Sequence, residues 1–304
     1  MHRFDGTETY FPARLRLAAT LAVSLFLFAP IPASAAEGLF WKVSGSAGTA
    51  YLLGSLHFGT EAIYPLDSEI QVAFAESDRL AVEIDLQSID PGQIAGWIIE
   101  NGAYLDGTTL SDHVSAETWR ALQQRLTEYG TPVELVAFQQ PWMASLTLTS
   151  IALNRGGFRE DLGIDRHFIQ RAAGRMQIVA LESFEEQMAL LSELSAVEQE
   201  GVLAATLRDL DSGLAVFGKL LEHWRRGDAA ALDEQINASL RANALGDALF
   251  ERLVERRNRR MSLKIAALLE GGGTTFVVVG AGHLVGAGGV PRLLQTQGYR
   301  AEKR

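Results

Sequence analysis

"YLLGSLHFG", residues 51–59, is a run of apolar residues that ends at a glycine, three positions before His57. "TFVVVGAGHLVG", residues 275–286, repeats this arrangement near the other end of the chain, where the histidine is His283. A short apolar run bounded by glycine is typical of a buried strand that turns sharply at its end. The two stretches therefore predict two strands that each end in Gly-x-x-His.

Two further apolar runs end in a carboxylate. "LAVE" ends at Glu83, and "QIVALE" ends at Glu182. In open sheets with helical connections, ligands bind beyond the carboxyl ends of the strands. If the four strands are neighbours, two imidazoles and two carboxylates converge at one edge of the sheet.

That combination of groups suits a divalent metal ion, or a carboxylate base that works beside two imidazoles. We expect metal ligands among His57, His283, Glu83 and Glu182. The expected catalytic residues are Glu83, His57 and Glu182, with Arg257 to orient a carboxylate or an anionic intermediate. A histidine beyond a strand is also a common structural residue, and a strand-end glutamate can simply meet solvent. Secondary candidates are Asp165, which could instead cap a helix, Asn258 and Glu185.

The order of elements predicts an α/β (α+β) fold with a central mixed or largely parallel sheet flanked by helices. "LFWKVSGSAGTAYLLGSLHFG" indicates a hairpin, and later apolar runs alternate with helical patterns. The expected organisation is a single domain over 36–304, with a helix-rich middle formed by insertions at roughly 90–155 and 184–270. The C-terminal tail is expected to add an edge strand.

The first 35 residues have the composition of a cleaved signal peptide. Three arginines precede the apolar run 17–29, and Ala-x-Ala at 33–35 supplies a cleavage site. The chain of 304 residues carries a net charge of −10 and no cysteine. We therefore expect an exported protein, periplasmic or secreted, with no membrane span after cleavage and no nucleic-acid partner.

Several motifs together resemble those of the TraB/GumN/PrgY family, which includes the Tiki metalloproteases. They are "GSLHFG", "LAVEIDL", "GIDRHF", "LESFEEQ", "RNRRM" and "VVVGAGHLVGAGGVPRLLQTQGYR". The resemblance extends from about Leu39 to Tyr299, and the paired Gly-x-x-His ends are the family's hallmark. The family is related in fold to erythromycin esterase and to the haem-binding ChaN proteins.

The resemblance implies a metal-dependent peptidase that uses manganese or cobalt, and zinc is a further option. It implies a site at His57, His283 and Glu83, with weaker correspondences at Glu182, Arg257 and Asn258. The substrate of the animal members, the Wnt ligands, does not transfer to a bacterial exported chain. A peptide or another small molecule is the expected substrate.

Three alternatives stay open at the level of sequence. The leading hypothesis is a periplasmic metal-dependent hydrolase, and a metal-free variant makes His57 the general base. The second is a non-catalytic protein that binds a peptide or haem in the same cleft. The third is a structural or partner-binding protein with a decayed site, which predicts that the strand-end side chains do not converge.

Overall fold

The computed structural model describes residues 35–238 and 246–304. It contains one six-stranded mixed sheet with the order β4-β3-β5-β2-β1-β6. The strands are β1 (Phe40–Ser44), β2 (Gly48–Ser55), β3 (Arg79–Val82), β4 (Gln177–Ala180), β5 (Gly273–Gly280) and β6 (Arg300–Lys303). The predicted α/β class with a mixed sheet is confirmed, and residues 1–34 of the predicted leader lie outside the described residues.

The sheet has a parallel half and an antiparallel half. Strands β4, β3, β5 and β2 run parallel to their neighbours, whereas β1 pairs antiparallel with both β2 and β6. The β1–β2 pair is the expected hairpin, and the C-terminal tail forms the edge strand β6. Because parallel strands need long crossovers, helices connect the members of the parallel half.

Helices pack around the sheet and fill the two long stretches between strands. They are α1 (Ser68–Ala75), α2 (Pro91–Gly102), α3 (Leu110–His113), α4 (Ala116–Glu128), α5 (Pro141–Arg155), α6 (Ile164–Ala172), α7 (Phe184–Ser192), α8 (Ala196–Arg225), α9 (Ala229–Asp233), α10 (Gly246–Phe250), α11 (Arg256–Glu270) and α12 (Val290–Thr296). Two π-helical turns, Glu234–Ala238 and Glu251–Glu255, follow α9 and precede α11.

The main core lies on the sheet. Phe276 of β5 contacts Phe74 of α1 and Phe168 of α6, with ring centroids 5.3 and 4.8 Å apart. All three rings are almost fully buried. A second apolar cluster joins α4, α5 and α8 through residues such as Leu122, Leu148 and Leu203. The helical stretches therefore have a hydrophobic core of their own beside the sheet.

No helix within the ranges 35–238 and 246–304 is both long enough and apolar enough to cross a membrane.

Candidate functional site

The register of the parallel strands brings the strand-end residues to one edge of the sheet. Ser55 of β2 stands opposite Gly280 of β5, so His57 and His283 leave the sheet at the same level. Glu83 follows directly after β3, and the backbone N–H of Glu182 donates to the carbonyl oxygen of Glu83 at 2.8 Å. The four residues at the ends of the four apolar runs therefore lie along one edge.

The glycines of the two motifs allow close packing at this edge. A Cβ atom on Gly54 would lie 3.1 Å from the Cα of Ala281, in the other motif. A Cβ atom on Gly280 would lie 3.2 Å from Oε1 of Glu83. The N–H of Gly280 also donates to that same oxygen at 2.6 Å. Close approach of backbone to carboxylate thus explains why glycine suits position 280.

Arg257, on α11, joins the two strand-end carboxylates. Its Nε atom donates to both oxygens of Glu182 at 3.0 and 2.9 Å, and its Nη2 atom donates to Oε2 of Glu182 at 2.6 Å. The same Nη2 atom donates to Oε2 of Glu83 at 2.7 Å. The Glu182 side chain is only 2% exposed. Arg257 therefore neutralises buried carboxylates, and Glu182 has its oxygens directed to the guanidinium rather than to the histidines.

Gln187, on α7, is a member of the site that the sequence reasoning missed. Its Nε2 atom donates to Oε2 of Glu83 at 2.7 Å. Helix α7 begins with the capping box formed by Ser183 and Glu186. Because Gln187 lies four residues after Ser183, the capping box fixes the start of the turn that carries it. The motif "LESFEEQ" could therefore have indicated Gln187, because it places this side-chain donor one helical turn after the end of the strand.

His283 is buried, and its hydrogen bonding defines its tautomer. Asn258 donates from Nδ2 to the carbonyl oxygen of Gly288 at 2.8 Å, so its Oδ1 atom faces the imidazole. Nδ1 of His283 lies 2.6 Å from that Oδ1 atom and must carry the proton that is donated to it. Nε2 of the neutral ring then bears a lone pair, 3.8 Å from Oε1 of Glu83.

His57 is arranged in a similar way but at the surface. Its Nδ1 atom lies 3.1 Å from Oδ2 of Asp165, and its side chain is 62% exposed. A carboxylate only accepts, so Nδ1–H is the donor and Nε2 is left available in the neutral ring. Oδ1 of Asp165 is buried and has no hydrogen-bond partner within the described residues. Asp165 lies in the first turn of α6, where it orients His57.

The electrostatics of these groups differ sharply. The hydrogen bond to Asp165 raises the pKa of His57 to about 9. Burial lowers the pKa of His283 to about 4, and the charge of Arg257 adds to that effect. Burial opposes ionisation of Glu83. The charge of His283, which is protonated at the low pH where Glu83 titrates, and the charges of Arg257 and His57 outweigh burial and lower the pKa of Glu83 to about 2. At neutral pH, Glu83 is therefore ionised, whereas His283 is neutral.

A cavity of about 220 Å³ opens beside these residues. Polar groups on its wall come from His57, Glu83, Asp165 and Gln187, and apolar groups come from residues such as Phe58, Ile84, Leu86 and Ile169. Of the secondary candidates, Asp165 lines this cavity and Asn258 supports His283. Glu185 is exposed on the first turn of α7, and no described contact joins it to the cluster.

As the side chains stand, no group of three or more His, Asp or Glu residues in the described part of the chain could hold a metal ion. The donor chemistry nevertheless fits a divalent cation at three atoms: Nε2 of His57, Nε2 of His283 and Oε1 of Glu83. Both imidazoles donate their other N–H to an oxygen, which is the usual outer hydrogen bond of metal-binding histidines. Glu182 fits this set less well, because Arg257 occupies its oxygens.

The fold and the edge cluster define an α/β protein with paired Gly-x-x-His motifs around a buried, arginine-bridged pair of glutamates. The model of the TraB/PrgY/gumN family matches residues 39–303, and the chain belongs to this family. The resemblance expected from the motifs is therefore confirmed.

Relatives of similar length are found in bacteria. The uncharacterized protein YbaP of Escherichia coli (strain K12) is 27% identical over 256 residues, covering 81% of this chain and 87% of YbaP. The protein of the same name in Shigella flexneri is 26% identical over 257 residues, covering 81% and 88%. An uncharacterized protein of Treponema pallidum (strain Nichols) is 25% identical over 268 residues, covering 82% and 78%. No solved structure matches this chain significantly.

Proposed function

We propose that this protein is a metal-dependent hydrolase, and more specifically a peptidase. One observation carries the proposal: Nε2 of His283 and Oε1 of Glu83 lie 3.8 Å apart beside the cavity that His57 lines. The imidazoles donate their Nδ1–H groups to Asn258 and Asp165, which leaves the two Nε2 atoms as the ligand atoms. Nε2 of His57 must lose its proton to bind a metal ion, because the pKa of His57 is about 9.

In this proposal, His283, Glu83 and His57 hold the divalent ion, with manganese, cobalt or zinc as the candidates. When bound, the ion would polarise the scissile carbonyl group and lower the pKa of a water molecule. Asn258 and Asp165 orient the two imidazoles. Arg257 helps to keep Glu83 ionised, and Glu182 holds Arg257 in place. In the metal-free alternative, Nε2 of unprotonated His57 takes the proton from water and Asp165 stabilises the resulting imidazolium. Because the pKa of His57 is about 9, the unprotonated ring is the minor form at neutral pH and activity should rise towards that pKa.

The size of the cavity favours hydrolysis over haem binding. Sites that enclose drug-sized ligands have volumes of roughly 300–1,000 Å³. The cavity beside His57 measures about 220 Å³. It suits the reacting group of a longer substrate whose remainder lies along the surface. A haem-binding protein that used the same cleft would need a larger cavity than this one.

The location that we propose is the periplasm or the exterior of the cell. The proposal depends on the leader-like composition of residues 1–35, which includes Ala-x-Ala at 33–35. The expected substrate is a peptide or another small molecule at that location. A fractionation assay on cells that produce the full chain would test the location independently of any activity.

The proposed function is tested by metal analysis and peptide cleavage on the same preparations. The purified full chain would be incubated with a mixed peptide library and Mn²⁺, Co²⁺ or Zn²⁺, with and without a chelator. We expect cleavage that the chelator abolishes, and loss of both metal and cleavage in H283A. H113A is the matched control, because His113 lies outside the cluster, where it stacks on Tyr104.

The variant H57A separates the two roles of His57. Loss of bound metal in H57A supports a ligand, whereas loss of cleavage with metal retained supports a general base. The proposal is wrong if the chain binds none of the three metals and cleaves no peptide. It is also wrong if H283A and H57A cleave at the wild-type rate.

A further inference from the structure

We propose that Gln187 is a positioning residue that aims the carboxylate of Glu83 at His283. This inference rests on the proposed function, because the consequence of aiming Glu83 is a formed cation site. Gln187 has no part in the sequence motifs that mark the two histidines. Its role follows from which oxygen of Glu83 it binds.

The two oxygens of Glu83 have different partners. Oε2 accepts from Nε2 of Gln187 and from Nη2 of Arg257, both at 2.7 Å. Oε1 accepts from the N–H of Gly280 and lies 3.8 Å from Nε2 of His283. Two strong donors on Oε2 fix the rotation of the carboxylate about its terminal bond. Oε1 is therefore the oxygen presented to the imidazole and to any cation bound there.

Gln187 and Arg257 make different contributions to this arrangement. Arg257 is charged and also binds Glu182, so its removal changes the charge of the whole cluster. Gln187 is neutral and lines the cavity, so its removal changes the orientation of Glu83 with little change in charge. The backbone N–H of Gln187 donates to the carbonyl oxygen of Ser183, within the capped first turn of α7. The donor is thus carried by a rigid support.

The first test is a double-mutant cycle on the metal-free full chain, with Q187M, E83M and the combined variant. Methionine keeps the length of the glutamine side chain but removes the donor. We expect the two substitutions to be coupled by about tenfold or more in the unfolding equilibrium constant, as for a hydrogen bond to a charged group. The matched control is Q124M with E83M, because Gln124 donates to Glu128 on α4, away from the site.

The second test measures the binding of Co²⁺ alone, by titration of its visible absorption. Loss of an outer hydrogen bond to a metal ligand typically costs about 10–100-fold in metal affinity. We expect this loss in Q187M and an unchanged dissociation constant in Q124M. The unfolding midpoints of the metal-free variants show whether each protein is folded at the titration temperature.

The outcomes separate this inference from the proposed function. Coupling below about threefold in the metal-free cycle overturns the positioning role, whatever the metal does. Coupling with an unchanged Co²⁺ affinity in Q187M also overturns it, because Gln187 would then only stabilise the fold. If wild type binds no Co²⁺, the metal centre is refuted, and the cycle alone decides whether Gln187 positions Glu83.

Discussion

Removal of the Arg257 guanidinium is the perturbation whose effect the structure defines most sharply. Arg257→Met keeps much of the side chain's volume but leaves two buried carboxylates without their shared cation. Glu83 would retain the N–H groups of Gly280 and Gln187. Glu182 would retain Arg260, which is half exposed and 3.6 Å away. Glu182 therefore becomes the carboxylate with the least compensation.

The cost follows from this loss of compensation. Removing one partner of a buried ion pair destabilises a protein by about 3–5 kcal/mol, because the other charge stays buried and unpaired. We therefore expect the free energy of unfolding of R257M at pH 7 to be about 3–5 kcal/mol lower than that of wild type. Since a domain of ordinary stability unfolds with about 5–15 kcal/mol, the variant would be folded but marginal. The double variant E182M/R257M should regain most of the loss, because an apolar pair can replace a buried ion pair.

The effect depends on pH with a definite sign. In wild type, the pKa of Glu83 is lowered to about 2, from an ordinary value of 4.5. The ionised carboxylate therefore contributes stability above pH 4.5, and this contribution is lost as the pH falls towards 2. Without Arg257 the pKa of Glu83 rises, so the ionised carboxylate of Glu83 contributes less to the free energy of unfolding at pH 7. The deficit of R257M relative to wild type should be largest at neutral pH and shrink below pH 4.5.

Urea unfolding of the metal-free proteins from pH 7 to pH 3 measures this deficit. R208M is the matched control, because Arg208 and its partner Asp209 are 67% and 61% exposed, and exposed ion pairs contribute less than about 1 kcal/mol. A deficit for R257M below 1 kcal/mol at pH 7 would refute the reasoning. A deficit that stays constant down to pH 3 would refute its electrostatic basis.

Two further predictions concern the neighbours of the cluster. Gly280→Ala places a Cβ atom 3.2 Å from Oε1 of Glu83, so Co²⁺ affinity should fall about tenfold. The control G201A, on α8, places a Cβ atom that meets nothing within 4 Å and should leave the affinity unchanged. Equal affinities of the two variants would contradict this contact. Asp165→Asn removes the carboxylate that raises the pKa of His57, so the imidazole should titrate closer to 6.5 than to 9 by NMR. A pKa that stays near 9 in this variant would show that other charges set it.

The edge of the sheet was predictable from sequence because its signal is local. Each apolar run ends in a glycine or an ionisable residue, and parallel strands place such ends together. The convergence of His57, His283 and Glu83 at one edge was therefore predictable from pattern alone. The strand order β4-β3-β5-β2 could not be predicted from the sequence, because strands separated by long crossover connections pair with one another.

The sequence suggested that Arg257 orients a carboxylate, but its burial and its two glutamate partners could not be predicted, for a similar reason. Its stretch, "VERRNRRMSLKIAALL", is a basic helical pattern in which a solvated face is the default expectation. Arg257 and Asn258 are adjacent in sequence, yet both are buried, and they contact Glu182 and His283 respectively. Only the approach of α11 to the sheet edge distinguishes them from Arg256 and Arg259, which lie at the surface.

The charge of the buried cluster suits a cation at this edge, as the proposed function requires. Glu83 and Glu182 are two carboxylates, Arg257 is one guanidinium, and the low pKa of His283 keeps its imidazole neutral. Arg260, which is half exposed and 3.6 Å from Glu182, offsets the remaining negative charge only in part, and a charge in a place from which water is largely excluded needs a partner. The protonated form of His57 can supply that partner, and the negative charge of Glu83 indeed contributes to its raised pKa. A divalent ion could supply it more strongly, but it would have to displace the proton from His57 to use Nε2 as a ligand. A proton and a metal ion therefore compete for Nε2 of His57. The hydrogen bond between His57 and Asp165 sets how strongly the proton is held, and so how readily a metal ion replaces it.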